Sequence, residues 1–360
     1  MRTVRDVLVA GLPTDSGHGV YPGAVALVAR DGVADPTVAV GEAVRYADGQ
    51  GTPLPPAERV PARPDTVYDL ASLTKVFVTV VALTLVEERA LDLAEPLATW
   101  YPQFGVGERR AVTVRHLMAH LSGLPAVRPL HQEAPDRTGR VRLLLDTPLL
   151  YPPGDGYTYS DLNYLILGLL CEHVSGRPLD ELLDERVTGP LGLADTGYLP
   201  LRRGVPVERI AATECKDPRG MLRGTVHDEN AWAFGGVAGN AGIFGTAADV
   251  ARFAEMLREG GSVGGVRVLH ARSVAEMVTD QLPRDLAHPF RQGLGVRLDD
   301  AGFLGPLRGF GHTGFTGTSF AVDPGRLLTV VLLTNRVHPR REWSDVGPTR
   351  REVAAAASMQ

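Results

Sequence analysis

Two apolar runs near opposite ends of this 360-residue chain constrain its fold more than any other feature. Gly23 to Ala29 reads as a strand, Asp31-Gly32 as a turn, and Thr37 to Val44 as the returning strand. At the far end Gly293 to Leu298, Thr318 to Val322 and Leu327 to Leu333 read as three more strands. Asp323-Pro324-Gly325 supplies the turn between the last two. Between these ends the pattern is mostly helical. Leu162, Leu165, Ile166 and Leu169 recur at helical spacing, as do Val250, Phe253, Ala254 and Leu257. Thr246 with Asp249 resembles a capping box, and Gly260 stops that helix. Strands at both ends and helices between them predict an α+β fold. One antiparallel sheet is built from both ends of the chain, flanked by helices, with a mostly helical lobe inserted.

The chemistry is concentrated in three short strings. Ser72-Leu73-Thr74-Lys75 places a hydroxyl and an amine at i and i+3, on one face of a helix predicted to run to about Glu88. The chain has ten serines and only two lysines, Lys75 and Lys216, so chance placement gives only ~0.06 such pairs. Tyr159-Ser160-Asp161 and His312-Thr313-Gly314 follow in the order in which such sites are assembled. A serine hydroxyl needs an adjacent base to become a nucleophile at neutral pH. Lys75 serves if its surroundings lower its pKa; if it stays charged, it can instead depress the pKa of Tyr159. The residues alone leave both routes open. The start of the Ser72 helix offers a backbone N–H to a developing oxyanion.

With these strings in place the chain resembles the class C β-lactamase superfamily, which includes D-Ala-D-Ala carboxypeptidases, family VIII esterases and related acyltransferases. The resemblance extends to His116-Leu117-Met118-Ala119-His120-Leu121-Ser122-Gly123-Leu124-Pro125, Pro190-Leu191-Gly192-Leu193 and Leu333-Thr334-Asn335. It implies a β-lactamase/penicillin-binding-protein-like fold. The sheet lobe is expected over 1–95 and 225–360, the helical lobe over 96–224, and the active site between them. It also implies that Ser72 is acylated, that Lys75 and Tyr159 are its catalytic partners, and that the N–H groups of Ser72 and Phe315 form the oxyanion hole. Asp161, His312, Thr313, Gly314 and Asn240 are expected to contact substrate.

Two departures bear on substrate choice. Asp161 stands where the family carries asparagine, with Asn163 nearby, and a helix N-cap role for Asp161 is an equal alternative. His312 stands where β-lactamases carry lysine, which removes a cation that would meet a substrate carboxylate.

Composition narrows the remaining classes. A net charge of −5 without a run of Lys or Arg points to neither nucleic acid nor a membrane surface as partner. The N-terminus, where Pro13 and Asp15 interrupt a short apolar stretch, does not read as a signal peptide, so the expected location is cytoplasmic. Cys171 and Cys215 suggest no disulfide framework, and His116 and His120 lack a third metal ligand. No cofactor or metal is expected. Gly260-Gly261-Ser262-Val263-Gly264 fits a nucleophile-elbow pattern but lacks the strand–turn–helix context, and Gly309 to Gly314 is followed by no helix that could hold a dinucleotide. The expected function is a serine acyl-enzyme acting on a small-molecule acyl donor, with water, an amine or an alcohol as acceptor. D-Ala-D-Ala carboxypeptidase or β-lactamase activity, and a catalytically silent binding protein, are the alternatives. Oligomeric state is not legible in the residues.

Overall fold

The structure, a computed structural model, describes residues 2–14 and 17–359. Asp15, which entered the reading of the N-terminus, lies outside them. The central strands are β1 (Gly23–Arg30) and β2 (Val38–Val44) from one end, with β3 (Arg297–Leu298), β4 (Phe310–Thr313), β5 (Ser319–Asp323) and β6 (Leu328–Thr334) from the other. They pair antiparallel in the order β3-β4-β5-β6-β1-β2. The two apolar runs that opened the sequence reading are neighbours at the centre: Ala24 faces Thr334 and Arg30 faces Leu328, with five pairs between. Short strands Arg291–Gln292 and Val60–Pro61 extend the two edges.

Because helices cover both faces, β1 is apolar on both and shows no polar alternation. Val25, Leu27 and Ala29 join the larger core, whereas Ala24, Ala26 and Val28 join a smaller one. The smaller core is closed by α1 (Val4–Ala10) and the C-terminal helix, α5 (Gly347–Met359). On the other face lie α2 (Thr74–Glu87) and α4 (Ala247–Arg258), whose Phe77 and Phe253 rings stack with centroids 3.8 Å apart. Beyond α2 packs α3 (Asp161–Ser175), at the head of which the Tyr159-Ser160-Asp161 string ends.

Three local expectations are corrected. Gly293 to Leu298 is not a continuous strand: Arg291–Gln292 and β3 form a hairpin whose turn contains Gly295 at φ +72°. Leu294 and Val296 are fully buried in that turn, so their hydrophobicity signals burial and not strand. The capping box at α4 is only half formed. Thr246 accepts from the Asp249 N–H, but the Asp249 carboxylate instead receives the Asp195 N–H and the Thr196 hydroxyl. Ser160, not Asp161, occupies the N-cap of α3. Among the described residues no helix is long and apolar enough to cross a membrane.

Candidate active site

Ser72 sits in a 3₁₀ turn, Ala71–Leu73, that runs directly into α2. Ala71 has φ +48°, a left-handed conformation costly for a residue with a Cβ and tolerated only where the surroundings enforce it. Asp69 is part of that enforcement. Its buried carboxylate accepts the Ala71 N–H at 2.8 Å and the His227 N–H at 2.7 Å. Burial nevertheless pushes the Asp69 pKa up to about 6. From the opposite side the Thr316 and Thr318 hydroxyls donate to the carbonyls of Asp69 and Leu70 at 2.7 and 2.9 Å. The loop after the His312 string is thereby pinned against the turn that carries Ser72. Gly314 permits the approach: a Cβ there would lie 2.0 Å from Thr318 Oγ1 and 2.5 Å from the Leu70 carbonyl oxygen.

Lys75 is fully buried, one turn along from Ser72. Its Nζ donates to Ser72 Oγ at 2.9 Å and to the Asn240 carbonyl at 2.9 Å, and lies 2.7 Å from Asp161 Oδ1. Burial works against its charge, but the carboxylate of Asp161 and the oxygen of Tyr159 outweigh burial and hold the Lys75 pKa above the usual lysine value. Asp161 therefore faces the lysine and is not a spectator at a helix end. Lys75 Nζ also lies 5.1 Å from the centre of the Tyr159 ring.

The Tyr159 string is held by histidines. His120, itself at φ +61°, accepts the Ser160 N–H at 3.0 Å, and its ring lies 4.5 Å from that of Tyr159. Asn163 binds Ser122 and His120 in the buried layer beneath and does not reach the cleft. His312 is 2% exposed, with Nδ1 at 2.9 Å from the Thr313 carbonyl. Burial, then Arg297 and Lys75, lower its pKa well below the ordinary histidine value, so it is neutral. Its ring lies 5.9 Å from that of Tyr159, and it lines neither of the two cavities at Ser72.

Two cavities meet at Ser72, Tyr159 and Phe315. One, of about 270 Å³, adds Asp161, Asp228, Glu229, Asn240 and Arg341. The other, of about 300 Å³ and more open, adds Thr313, Gly314, Arg297, Arg336 and Arg350. Of the nine site residues expected from sequence, seven line the two cavities, Lys75 bonds Ser72 without lining either, and His312 lies against Tyr159 without lining either. The Phe315 N–H has no backbone acceptor among the described residues, and the half-exposed Phe315 ring lies 4.7 Å from the Arg336 guanidinium.

Sequence reasoning missed the arginines. Arg350, on α5, donates to the Gly314 and Thr318 carbonyls at 2.8 and 2.9 Å, and burial lowers its pKa to about 9. Arg297 lies 5.5 Å from the Tyr159 ring centre and pairs with Asp300 at 3.2 Å. No local motif marks them, because 297, 336 and 350 belong to separate elements. Among the described residues no group of His, Cys, Asp and Glu side chains is arranged to hold a metal ion.

Comparison with known proteins gives a consistent picture. A family model described as Beta-lactamase matches residues 9–355. A protein of Escherichia coli K12, provisionally named a D-alanyl-D-alanine carboxypeptidase, is 32% identical over 352 residues, covering 88% of this chain and 79% of its own. Among solved structures, EstCE1, described as a hydrolase with promiscuous acyltransferase activity, superposes with a TM-score of 0.74 at 24% identity, covering 98% of this chain and 97% of its own. A penicillin-binding-protein homologue from Caulobacter crescentus gives 0.73 at 23% identity, with 99% and 96% covered. These structural likenesses establish the antiparallel sheet-and-helix fold.

Proposed function

The chain belongs to the beta-lactamase family of serine hydrolases, and on that premise we propose that it forms an acyl-enzyme at Ser72 from small-molecule esters or amides. The observation that carries this reading is the ammonium of Lys75, 2.9 Å from Ser72 Oγ and 2.7 Å from Asp161 Oδ1. A lysine held charged donates a hydrogen bond and cannot accept a proton, so the reading requires a deprotonated Tyr159, whose phenolate oxygen takes the serine proton. Ser72 Oγ bonds to the substrate carbonyl carbon, and the N–H groups of Ser72 and Phe315 receive the oxyanion. The bond to the leaving oxygen or nitrogen then breaks, and Tyr159 returns the proton to it. Water reverses these steps to free the acid, or an amine or alcohol takes the acyl group instead.

The test is labelling by a fluorophosphonate followed by mass spectrometry, alongside p-nitrophenyl ester turnover. Label on Ser72, and loss of both signals in Ser72→Ala, is the expected result. Label on Ser262 would overturn it; that serine lies in a two-strand hairpin with Arg267 as its cross-strand partner.

A second reading, hydrolysis of a peptide-like substrate with a free carboxylate, is favoured by Arg297, Arg336 and Arg350 in the open cavity. They supply the positive charge that neutral His312 lacks. The name of the Escherichia coli relative points the same way. Comparing an ester that carries a leaving-side carboxylate with its neutral counterpart separates the two readings.

A further inference from the structure

One of the carboxylates that line the less open cavity at Ser72 has no ion-pair partner among the described residues, and burial and the neighbouring Asp161 raise its pKa. Three carboxylates line that cavity, from Asp161, Asp228 and Glu229. Asp161 is engaged by Lys75. Glu229 is engaged by Lys216 at 2.5 Å and by Arg341 at 3.0 Å, and Arg341 is shared with Glu214. His227 offers no charge, because burial lowers its pKa to about 4. Asp228 alone has no ion-pair partner among the described residues. Its Oδ1 caps the short helix Glu229–Ala233 by accepting the Ala231 N–H at 2.7 Å and also accepts Asn240 Nδ2 at 3.1 Å. Its Oδ2 accepts nothing from the described residues.

Asn240 adds a second, independent observation. It is 1% exposed and lines the same cavity, and with its amide nitrogen committed to Asp228, its Oδ1 has no hydrogen-bond partner among the described residues. A buried acceptor without a donor costs free energy unless something else supplies one. Two unused acceptors, one of them an unpaired carboxylate, thus belong to side chains joined by a hydrogen bond on the wall of the cavity that holds the nucleophile. The Asn240 carbonyl itself binds Lys75, only one hydrogen bond from Ser72 Oγ. The opposite cavity, open and lined by three arginines, suits a departing group. The less open cavity, with its two unused acceptors, suits the part that stays bound to Ser72.

We infer that the acyl portion of the substrate carries an ammonium group, which Asp228 and Asn240 receive through charge-assisted hydrogen bonds. The substrate class is therefore aminoacyl esters or amides. This deepens the acyl-enzyme reading above and rests on it.

The experiment compares kcat/KM for the D- and L-alanine benzyl esters, the propionic acid benzyl ester and the N-acetylalanine benzyl esters at pH 6.5. At that pH the amine of an aminoacyl ester, with a pKa of ~7.7 or just below, is largely protonated. Wild-type protein is expected to favour one alanine enantiomer over the propionyl ester by about tenfold or more, and acetylation is expected to remove that preference. Asp228→Asn, which keeps a helix-capping oxygen, is expected to collapse the ratio towards one. Equal kcat/KM for alanyl and propionyl esters in the wild type, or an undiminished ratio in Asp228→Asn, overturns the inference while leaving the acyl-enzyme reading in place. If no ester is turned over and Ser72 takes no fluorophosphonate, both fall together. The wild-type comparison stands even if the variant does not fold.

Discussion

Replacing Asp161 with asparagine is the sharpest perturbation this site offers, because it removes one charge and little volume. In the wild type the Lys75 ammonium is fully buried and 2.7 Å from the Asp161 carboxylate, whose side chain is 22% exposed. An opposite charge at that range raises a lysine pKa by about 1–3 units, and burial alone would lower it. The Asp161→Asn variant keeps the burial and loses the compensation. Its Lys75 pKa is expected to fall by about 1–3 units, towards the upper end of an ordinary assay range. One unit is about 1.4 kcal/mol. With a discount for the partial exposure of Asp161, the pair contributes roughly 1–3 kcal/mol to stability at neutral pH. The sign follows from a folded pKa that lies above the unfolded one. The contribution is complete below the unfolded lysine value of ~10.4 and is lost only as pH rises through the folded value.

The assay is a kcat/KM profile for a neutral p-nitrophenyl ester from pH 6 to 10.5, with urea denaturation at pH 7 as the companion measurement. If the charged lysine is the working form, wild-type activity stays level on the alkaline side to about pH 10. The variant's alkaline limb moves down by the same 1–3 units, and its urea midpoint falls. An alkaline limb identical in both proteins would refute the reasoning, because Lys75 would then owe nothing to Asp161. A variant more active than wild type across neutral pH would refute the charged-lysine mechanism itself, since freeing the amine would have supplied a better base.

Other outcomes follow from the same geometry. Lys75→Ala and Tyr159→Phe are each expected to lower ester turnover by ~10² or more, and the double variant by far less than the product, since the Lys75 ammonium and the Tyr159 oxygen act as a unit. Gly314→Ala is expected to slow fluorophosphonate labelling of Ser72 by about tenfold or more, because the new Cβ collides with the Leu70 carbonyl beside the nucleophile; an unchanged labelling rate would count against the loop clamp. Arg297→Gln is expected to raise KM about tenfold for an ester with a leaving-side carboxylate and to affect its neutral counterpart less, which kinetics on the matched pair checks.

How much of this was legible in the residues depends on the range of the interaction. Ser72 and Lys75 meet because i and i+3 share a helix face, a relation that needs no tertiary knowledge, and Nζ does lie 2.9 Å from Oγ. That both ends of the chain share one antiparallel sheet was legible from the two apolar runs, whereas the direct pairing of β1 with β6 emerges only in the structure. Gly293 to Leu298 misled for the same reason that β1 did not. Buried Leu294 and Val296 carry a strand's hydrophobicity into a turn, and apolar character reports burial rather than backbone conformation.

The electrostatics of the cleft were the least legible part, because charge pairing is set by tertiary neighbours. Asp161 could be read as an N-cap or as a substrate contact; only the approach of α2 to α3 turns it into the counter-ion of Lys75. The loss of a lysine at position 312 suggested a site without a cation for carboxylates. Residues 297, 336 and 350 then bring three guanidinium groups to the open cavity from a short strand, a loop and the C-terminal helix. The opposite cavity has the reverse polarity, with Asp228 left unpaired one residue from His227, whose N–H anchors Asp69 beneath the nucleophile. Ser72 thus stands between one cavity lined by Asp161, Asp228, Glu229 and Arg341 and another lined by Arg297, Arg336, Arg350 and Asp345. A dipolar substrate lying across Ser72 would find a complementary charge at each end, whereas a reversed one would meet repulsion at both. Orientation of the scissile carbonyl is in that case set by charge placed on both sides of Ser72, before any contact with the oxyanion donors is made.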